Sequence, residues 1–171
     1  MSTRQIARGA LLIALVAAAT LAVRIPVPAT QGYINLGDSM VYVSALLFGP
    51  LAGALAGGVG SALADVIGGY VRFAPFTLVI KGLEGLVVGW LARRLAGRLA
   101  SAADLAGAAA AVVAGGTLMV AGYFVTEAYV MGLGSAAAAA EVPGNVFQVV
   151  GGLVAALPVS VALRRLVTST P

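Results

Sequence analysis

The sequence predicts an all-α membrane protein of six transmembrane helices with both termini cytoplasmic. Three observations carry that expectation: an excess of apolar residues, apolar segments long enough to cross a bilayer, and arginines that collect at one end of the resulting helices. Of the 171 residues, 61% are hydrophobic and 9% charged, and the mean hydropathy is +1.05. Soluble domains carry roughly 25% charged residues, so a water-facing surface around a core this apolar would run short of polar side chains. A bilayer removes the conflict, and helix is the default there because each segment must satisfy its own backbone hydrogen bonds.

The first helix is expected at about residues 6–24, where Arg8 and Arg24 bound an apolar run and can snorkel to the interfaces. A basic start, an apolar run and Ala17-Ala18-Ala19 also resemble a signal peptide, but a retained helix fits the rest of the chain better. The stretch 38–65 is too long for one span and short for two, with Gly49-Pro50 in its middle. Arginine placement decides it. Helices at about 38–49 and 50–68 put Arg4, Arg8, Arg93, Arg94, Arg98, Arg164 and Arg165 together on one side, with Arg24 and Arg72 opposite. A single span would set the 93–98 cluster against Arg4 and Arg8, contrary to the positive-inside rule.

The fourth helix is expected at about 75–92, the fifth at about 104–130 with Asp104 as its N-cap, and the sixth at about 143–164, with Asn145 a candidate start residue after Pro143-Gly144. Residues 1–171 form one membrane domain on this reading. How far the fifth helix runs towards the alanines 136–140 is left open.

With no Cys and no His, the chain has no thiolate, disulfide, imidazole base or ordinary zinc or haem site. No cofactor and no metal are expected. No GxxxxGK[ST] phosphate loop is present either, so ATP-driven work would fall to another chain. The net charge of +4 sits in short clusters at the ends of apolar runs without interleaved aromatics, which points to membrane topology and the lipid bilayer and away from nucleic acid.

Small residues form three rows. Ala10, Ala14, Ala18 and Ala22 lie on one face of the first helix, and such a stripe lets another helix approach closely in lipid. Gly49, Gly53, Gly57 and Ser61 form a second row, Gly85 and Gly89 a third; for both, packing inside the bundle is the simpler account.

Ionisable residues at membrane depth are costly and by default mark function. Asp38, Asp65, Arg72, Lys81, Glu84, Glu127, Glu141, Asn145 and Gln148 all fall towards the outer half. Thr77, Lys81 and Glu84 share a helix face, as do Tyr123 with Glu127 and Asn145 with Gln148. The pattern describes a polar pocket open outwards and closed below by apolar packing. Plainer roles compete: Lys81 and Glu84 as a self-neutralising pair, Asp38 as an N-cap, and Tyr33, Tyr42, Tyr70 and Tyr129 as an interface belt with Trp90 an anchor near Arg93. An intramembrane enzyme using Glu84 and Glu127 as acid and base would need a further nucleophile or metal set. A solitary ion-coupled small-solute carrier would show internal repeats. No enzymatic role is expected.

The run GYINLGDSMVYVSALLFGPLAGALAGGVGSALADVIGGY (32–70), then APFTLVIKGLEGLVVG (74–89) and EVPGNVFQVVGG (141–152), resembles the substrate-binding S components of energy-coupling factor (ECF) vitamin transporters, riboflavin-type branch, across roughly residues 8–165. The resemblance implies a subunit of an ABC-type importer in a bacterial or archaeal cell membrane. It would bind a vitamin-like small molecule and work with a transmembrane coupling subunit and two ATPase subunits. It implies docking through Ala10, Ala14 and Ala18, and a substrate site around Asn35, Lys81, Glu84, Glu127, Asn145 and Gln148; the helix-face pattern adds Tyr123. With aromatics at 6% of the chain, a pyridoxine-, pyrimidine- or thiazole-type precursor stands beside riboflavin as the solute.

Overall fold

The computed structural model describes residues 2–169, with side chains through residue 165; positions 1, 170 and 171 of the expected domain lie outside the described residues. Six helices are present among them: α1 Thr3–Ala22, α2 Gly37–Phe48, α3 Pro50–Gly68, α4 Ala74–Leu95, α5 Ala102–Val125 and α6 Ser135–Ser169. A short antiparallel hairpin, β1 Arg24–Val27 and β2 Gly32–Asn35, joins α1 to α2 and pairs Arg24 with Asn35 through Val27 with Gly32. Five helices are long and apolar enough to cross a membrane.

The exception, α2, has 12 residues, which at 1.5 Å each reach about 18 Å, well short of a hydrocarbon core of about 30 Å. Its position explains its composition. It packs against α1, α3, α4 and α6, so it has almost no lipid-facing side, and Asp38, Ser39, Tyr42 and Ser44 are buried along with Val41 and Ala45. Gly49 then turns the chain at φ +86°, and Pro50 starts α3. Glycine suits that corner because L side chains rarely adopt positive φ, and proline suits a first helical turn whose N–H has no partner.

The glycine rows are packing devices. A Cβ on Gly85 would meet the Gly53 carbonyl, one on Gly57 the Lys81 carbonyl, and one on Gly89 the start of α3. Backbones of α3 and α4 therefore touch along their length. The alanine row behaves oppositely: α1 buries Leu12, Val16 and Thr20 against the bundle and leaves Ala10, Ala14, Ala18 and Ala22 exposed. Elsewhere the outer surface is apolar, with Leu51, Val79, Val113, Tyr129 and Val154 all more than half exposed, as a lipid-facing wall requires.

Four local expectations are corrected. Ser101, not Asp104, caps α5: its Oγ accepts from the Asp104 N–H at 3.1 Å, while the Asp104 carboxylate accepts from the N–H groups of Arg98 and Ala100 at 3.2 and 3.0 Å. Serine three residues ahead of an acid takes the cap, and the acid serves the preceding loop. Asp38 is not an N-cap either; α2 starts after Leu36 with no side-chain cap, and Asp38 turns inward. The last helix begins at Ser135, not near 143. Gly132 and Gly134 at φ +69° and +87° break the chain after α5, and the strongly helix-forming alanines 136–140 belong to α6. Asn145 consequently lies inside a helix that continues through Pro143 and Pro158.

Candidate functional site

A cavity opens at the hairpin end of the bundle, with about 390 Å³ of empty space including its mouth. The arginine-rich end lies opposite. Thr77 and Lys81 of α4, one turn apart, form one wall with Tyr123 of α5, whose phenol donates to Thr77 Oγ1 at 3.0 Å. Asp65 and Ser61 of α3 form the next, and Glu141, Asn145 and Gln148 of α6 the third, with Thr20 of α1 and Phe73 completing the lining.

The hairpin closes the top. Tyr33 lies in β2, and its phenol donates to Asp65 Oδ1 at 2.6 Å. Burial, together with the Asp65 carboxylate, holds that phenol well above its usual range, so Tyr33 stays a donor. Thr30 in the hairpin turn donates to Glu141, and the Asn35 N–H donates to Gln148 Oε1. Gln148 in turn donates to Asn145 Oδ1 at 3.3 Å, so the residues Asn145 and Gln148 act as one unit against the end of β2. Three separate hydrogen bonds thus tie one connecting loop to α3 and α6.

Below the cavity lies a buried charge network. Lys81 is ion-paired with both Asp38 of α2 and, at 3.1 Å, Glu84 one turn further along α4. Tyr42 of α2 donates to the other Glu84 oxygen at 2.7 Å, and the Lys81 ammonium lies 5.9 Å from the centre of the Tyr123 ring. The pairing of Lys81 with Glu84 expected from spacing is therefore real but incomplete, since Asp38 is the second partner.

Of the residues expected at the site, Asn35, Lys81, Tyr123, Asn145 and Gln148 line the cavity. Glu84 and Glu127 do not. Glu84 lies on the floor behind Lys81, whereas Glu127 lies on a π-helical turn, Thr126–Val130, that prolongs α5 and sets its fully buried carboxylate beside Glu141. The two acids considered as an enzyme's acid and base thus belong to separate networks. Asp65, Thr77 and Glu141, marked only by depth or helix face, join the lining, as does Tyr33, a candidate of the interface belt. Thr20 gave no signal, because its neighbours on α1 are apolar or alanine. The tyrosines divide: Tyr33 and Tyr42 are buried, while Tyr129 faces outwards. Trp90 is half-exposed near the arginine-rich end, with the Arg94 guanidinium 4.1 Å from its ring centre.

Residues 1–165 match the family described as ECF-type riboflavin transporter, S component. The chain belongs to this S-component family. It is 51% identical over 137 residues, 79% of this chain and 84% of the relative, to a protein of Pyrococcus woesei described as an uncharacterized protein in the gap 3′ region. It is 30% identical over 141 residues, 82% of this chain and 75% of the relative, to the thiamine precursor transporter HmpT of Lactococcus lactis subsp. cremoris (strain MG1363). A solved structure described as the S component of a bacterial ECF transporter superposes with a TM-score of 0.67 at 16% identity, covering 98% of each chain, which shows a common fold. The S component described here is thus a multi-pass cell membrane protein and a transporter subunit.

Proposed function

We propose that this S component captures a small B-vitamin-type heterocycle or vitamin precursor in the cavity beneath the β1–β2 hairpin, and that it docks through the exposed alanine face of α1 onto a transmembrane coupling subunit driven by two ATPase subunits. The observation that carries the reading is the cavity itself: a polar, side-chain-lined space at one end of an otherwise apolar bundle, covered by a loop held by Tyr33, Thr30 and Asn35. Asn35, Lys81, Tyr123, Asn145 and Gln148 would contact the solute, with Tyr33, Asp65, Thr77 and Glu141 added. Glu84 and Glu127 would act through Lys81 and Glu141.

The family match favours a riboflavin-type solute, and the thiamine precursor relative favours a pyrimidine- or thiazole-type one; a pyridoxine-type ring belongs to the same class of small polar heterocycles. The arginine-rich end would face the cytoplasm, with both termini, so that a cysteine placed at Gly97 resists an impermeant thiol reagent in intact cells while one at Gly69 reacts. The deciding experiment is mass spectrometry of the small molecule retained by the detergent-purified protein, followed by titration with that compound. A preparation that retains no heterocycle and binds none of the B vitamins or their ring precursors would overturn the proposal.

A further inference from the structure

The acids around the cavity outnumber the cations. Asp38, Asp65, Glu84, Glu127 and Glu141 are each at most 4% exposed, and among the described residues Lys81 is the one buried cation. Arg24 and Arg72 lie near the hairpin, but both are exposed and turn to the Gly68 carbonyl and to Gln31. Lys81 already faces two carboxylates, Asp38 and Glu84. Asp65 lines the cavity with one oxygen held by Tyr33 and Oδ2 without a hydrogen-bond partner, although the side chain is 97% buried (3% exposed). Glu141 also lines it, held by Thr30 and backed by Glu127, neither of whose oxygens has a partner.

A buried carboxylate without a partner costs several kcal/mol, so such groups acquire a proton or a cationic partner. Lys81 is shared by Asp38 and Glu84, so among the described residues no buried cation is left for Asp65 or for the Glu127–Glu141 pair. Donors for a ring are present too. Gln148 donates to Asn145 Oδ1 and accepts from the Asn35 N–H, which leaves the Asn145 amide N–H₂ free to donate to a ring nitrogen.

From this we infer that the cavity selects a heterocycle bearing an amino group or protonated nitrogen, and rejects solutes whose polar group is a carboxylate or phosphate. The inference rests on the vitamin-binding reading above and narrows it to a charge class. An amino group placed between Asp65 and Glu141 would give both acids a donor. A carboxylate there would meet like charges, and Lys81 would have to surrender an existing partner to compensate.

The test is calorimetric titration of the whole purified protein with five probes: a hydroxymethyl aminopyrimidine, the analogue with hydroxyl in place of amino, pyridoxamine, nicotinate and riboflavin. At least one amine should bind, and exchanging amino for hydroxyl should weaken binding about tenfold to a hundredfold, the worth of one or two charge-assisted hydrogen bonds. Asp65→Asn should erase most of that discrimination. Should the variant not fold, the comparison of analogues on the natural protein decides alone. Riboflavin or nicotinate binding more tightly than both amines would overturn the charge inference while leaving the vitamin-binding reading intact. Failure of all five to bind would overturn the charge inference, and the vitamin-binding reading falls with it only if the protein also retains no heterocycle and binds none of the other B vitamins or ring precursors.

Discussion

Lys81 and Asp38, 43 residues apart in the chain, form an ion pair beneath the cavity that fastens the central helix α2 to α4. Both side chains are at most 3% exposed. Because Glu84 sits on the other side of the ammonium, the lysine is the hub of a triad, and a two-residue reading of it misses one carboxylate. Lys81→Met strands two buried acids, and breaking a buried pair by removing one partner costs about 3–5 kcal/mol. The expected outcome is a variant that unfolds at markedly lower temperature in detergent. Adding Glu84→Gln should recover only part of the loss, since Asp38 still lacks its cationic partner; adding Asp38→Asn as well should recover most of it. A double variant as stable as the triple one would show that Asp38 contributes nothing to the balance.

The contact between α3 and α4 makes a prediction of opposite sign at two glycines. Gly85 faces the Gly53 carbonyl so closely that a methyl group cannot enter without moving one backbone, whereas a Cβ at Gly151 meets nothing within 4 Å. Gly85→Ala should destabilise the bundle by about 1–3 kcal/mol. Gly151→Ala, within helix α6, should leave stability unchanged or raise it by up to ~1 kcal/mol through helix propensity. Thermal unfolding of the two variants side by side measures this, and equal losses at both sites would contradict the close approach.

Much of this architecture is legible in the sequence because membrane helices are written in long apolar runs and arginine placement orders them. The corner at Gly49-Pro50 is a local signal of the same kind. What the sequence hides is contact between elements. Asp38 carries an acidic residue's N-cap signature, and only the position of α2 among four other helices turns it towards Lys81. The start of α6 was hidden by Pro143, which reads as a helix boundary although the alanines before it are helical. At the site, helix periodicity grouped Thr77 with Lys81 and Asn145 with Gln148, but it carried no information about the hairpin, whose Thr30 and Tyr33 reach acids on α6 and α3. Glu127 shares a face with Tyr123 on an ideal helix, yet the π-helical turn places it behind Glu141.

Docking through the exposed alanine face of α1, as proposed, would let binding be separated from transport. Ala14 and Ala18 are both exposed on α1, and Ala14 is the more distant of the two from the cavity, which α1 lines with Thr20. A leucine at either position would hold a partner helix away, because association in lipid depends on close packing. Ala14→Leu is expected to abolish uptake by cells carrying the complete transporter while the purified variant binds solute with unchanged affinity. Full uptake by that variant would remove the alanine face as the docking surface.

The hairpin should set the rate at which solute leaves. Its hold on the bundle comes from Tyr33 on Asp65, Thr30 on Glu141 and the Asn35 N–H on Gln148. Two of these are side-chain bonds that can be deleted without changing the backbone. Tyr33→Phe keeps the ring against Tyr70, whose centre is 4.3 Å away, and removes only the hydroxyl; Thr30→Val keeps the side-chain shape but removes both the bond to Glu141 and the bond that Thr30 Oγ1 accepts from the Gly32 N–H at 3.1 Å within the turn. Each deletion withdraws a donor from a buried carboxylate of the closed state, at a cost of about 1–3 kcal/mol. In the open state water can satisfy the same carboxylate, so the cost falls on closure and opening becomes easier. Release of bound solute, followed by stopped-flow after dilution into excess competitor, should accelerate about fivefold to a hundredfold in each variant. On this scheme solute enters before those bonds form, and the association rate should change far less. If both variants release solute at the parent rate, the hairpin is a fixed roof and exit takes another route between the helices.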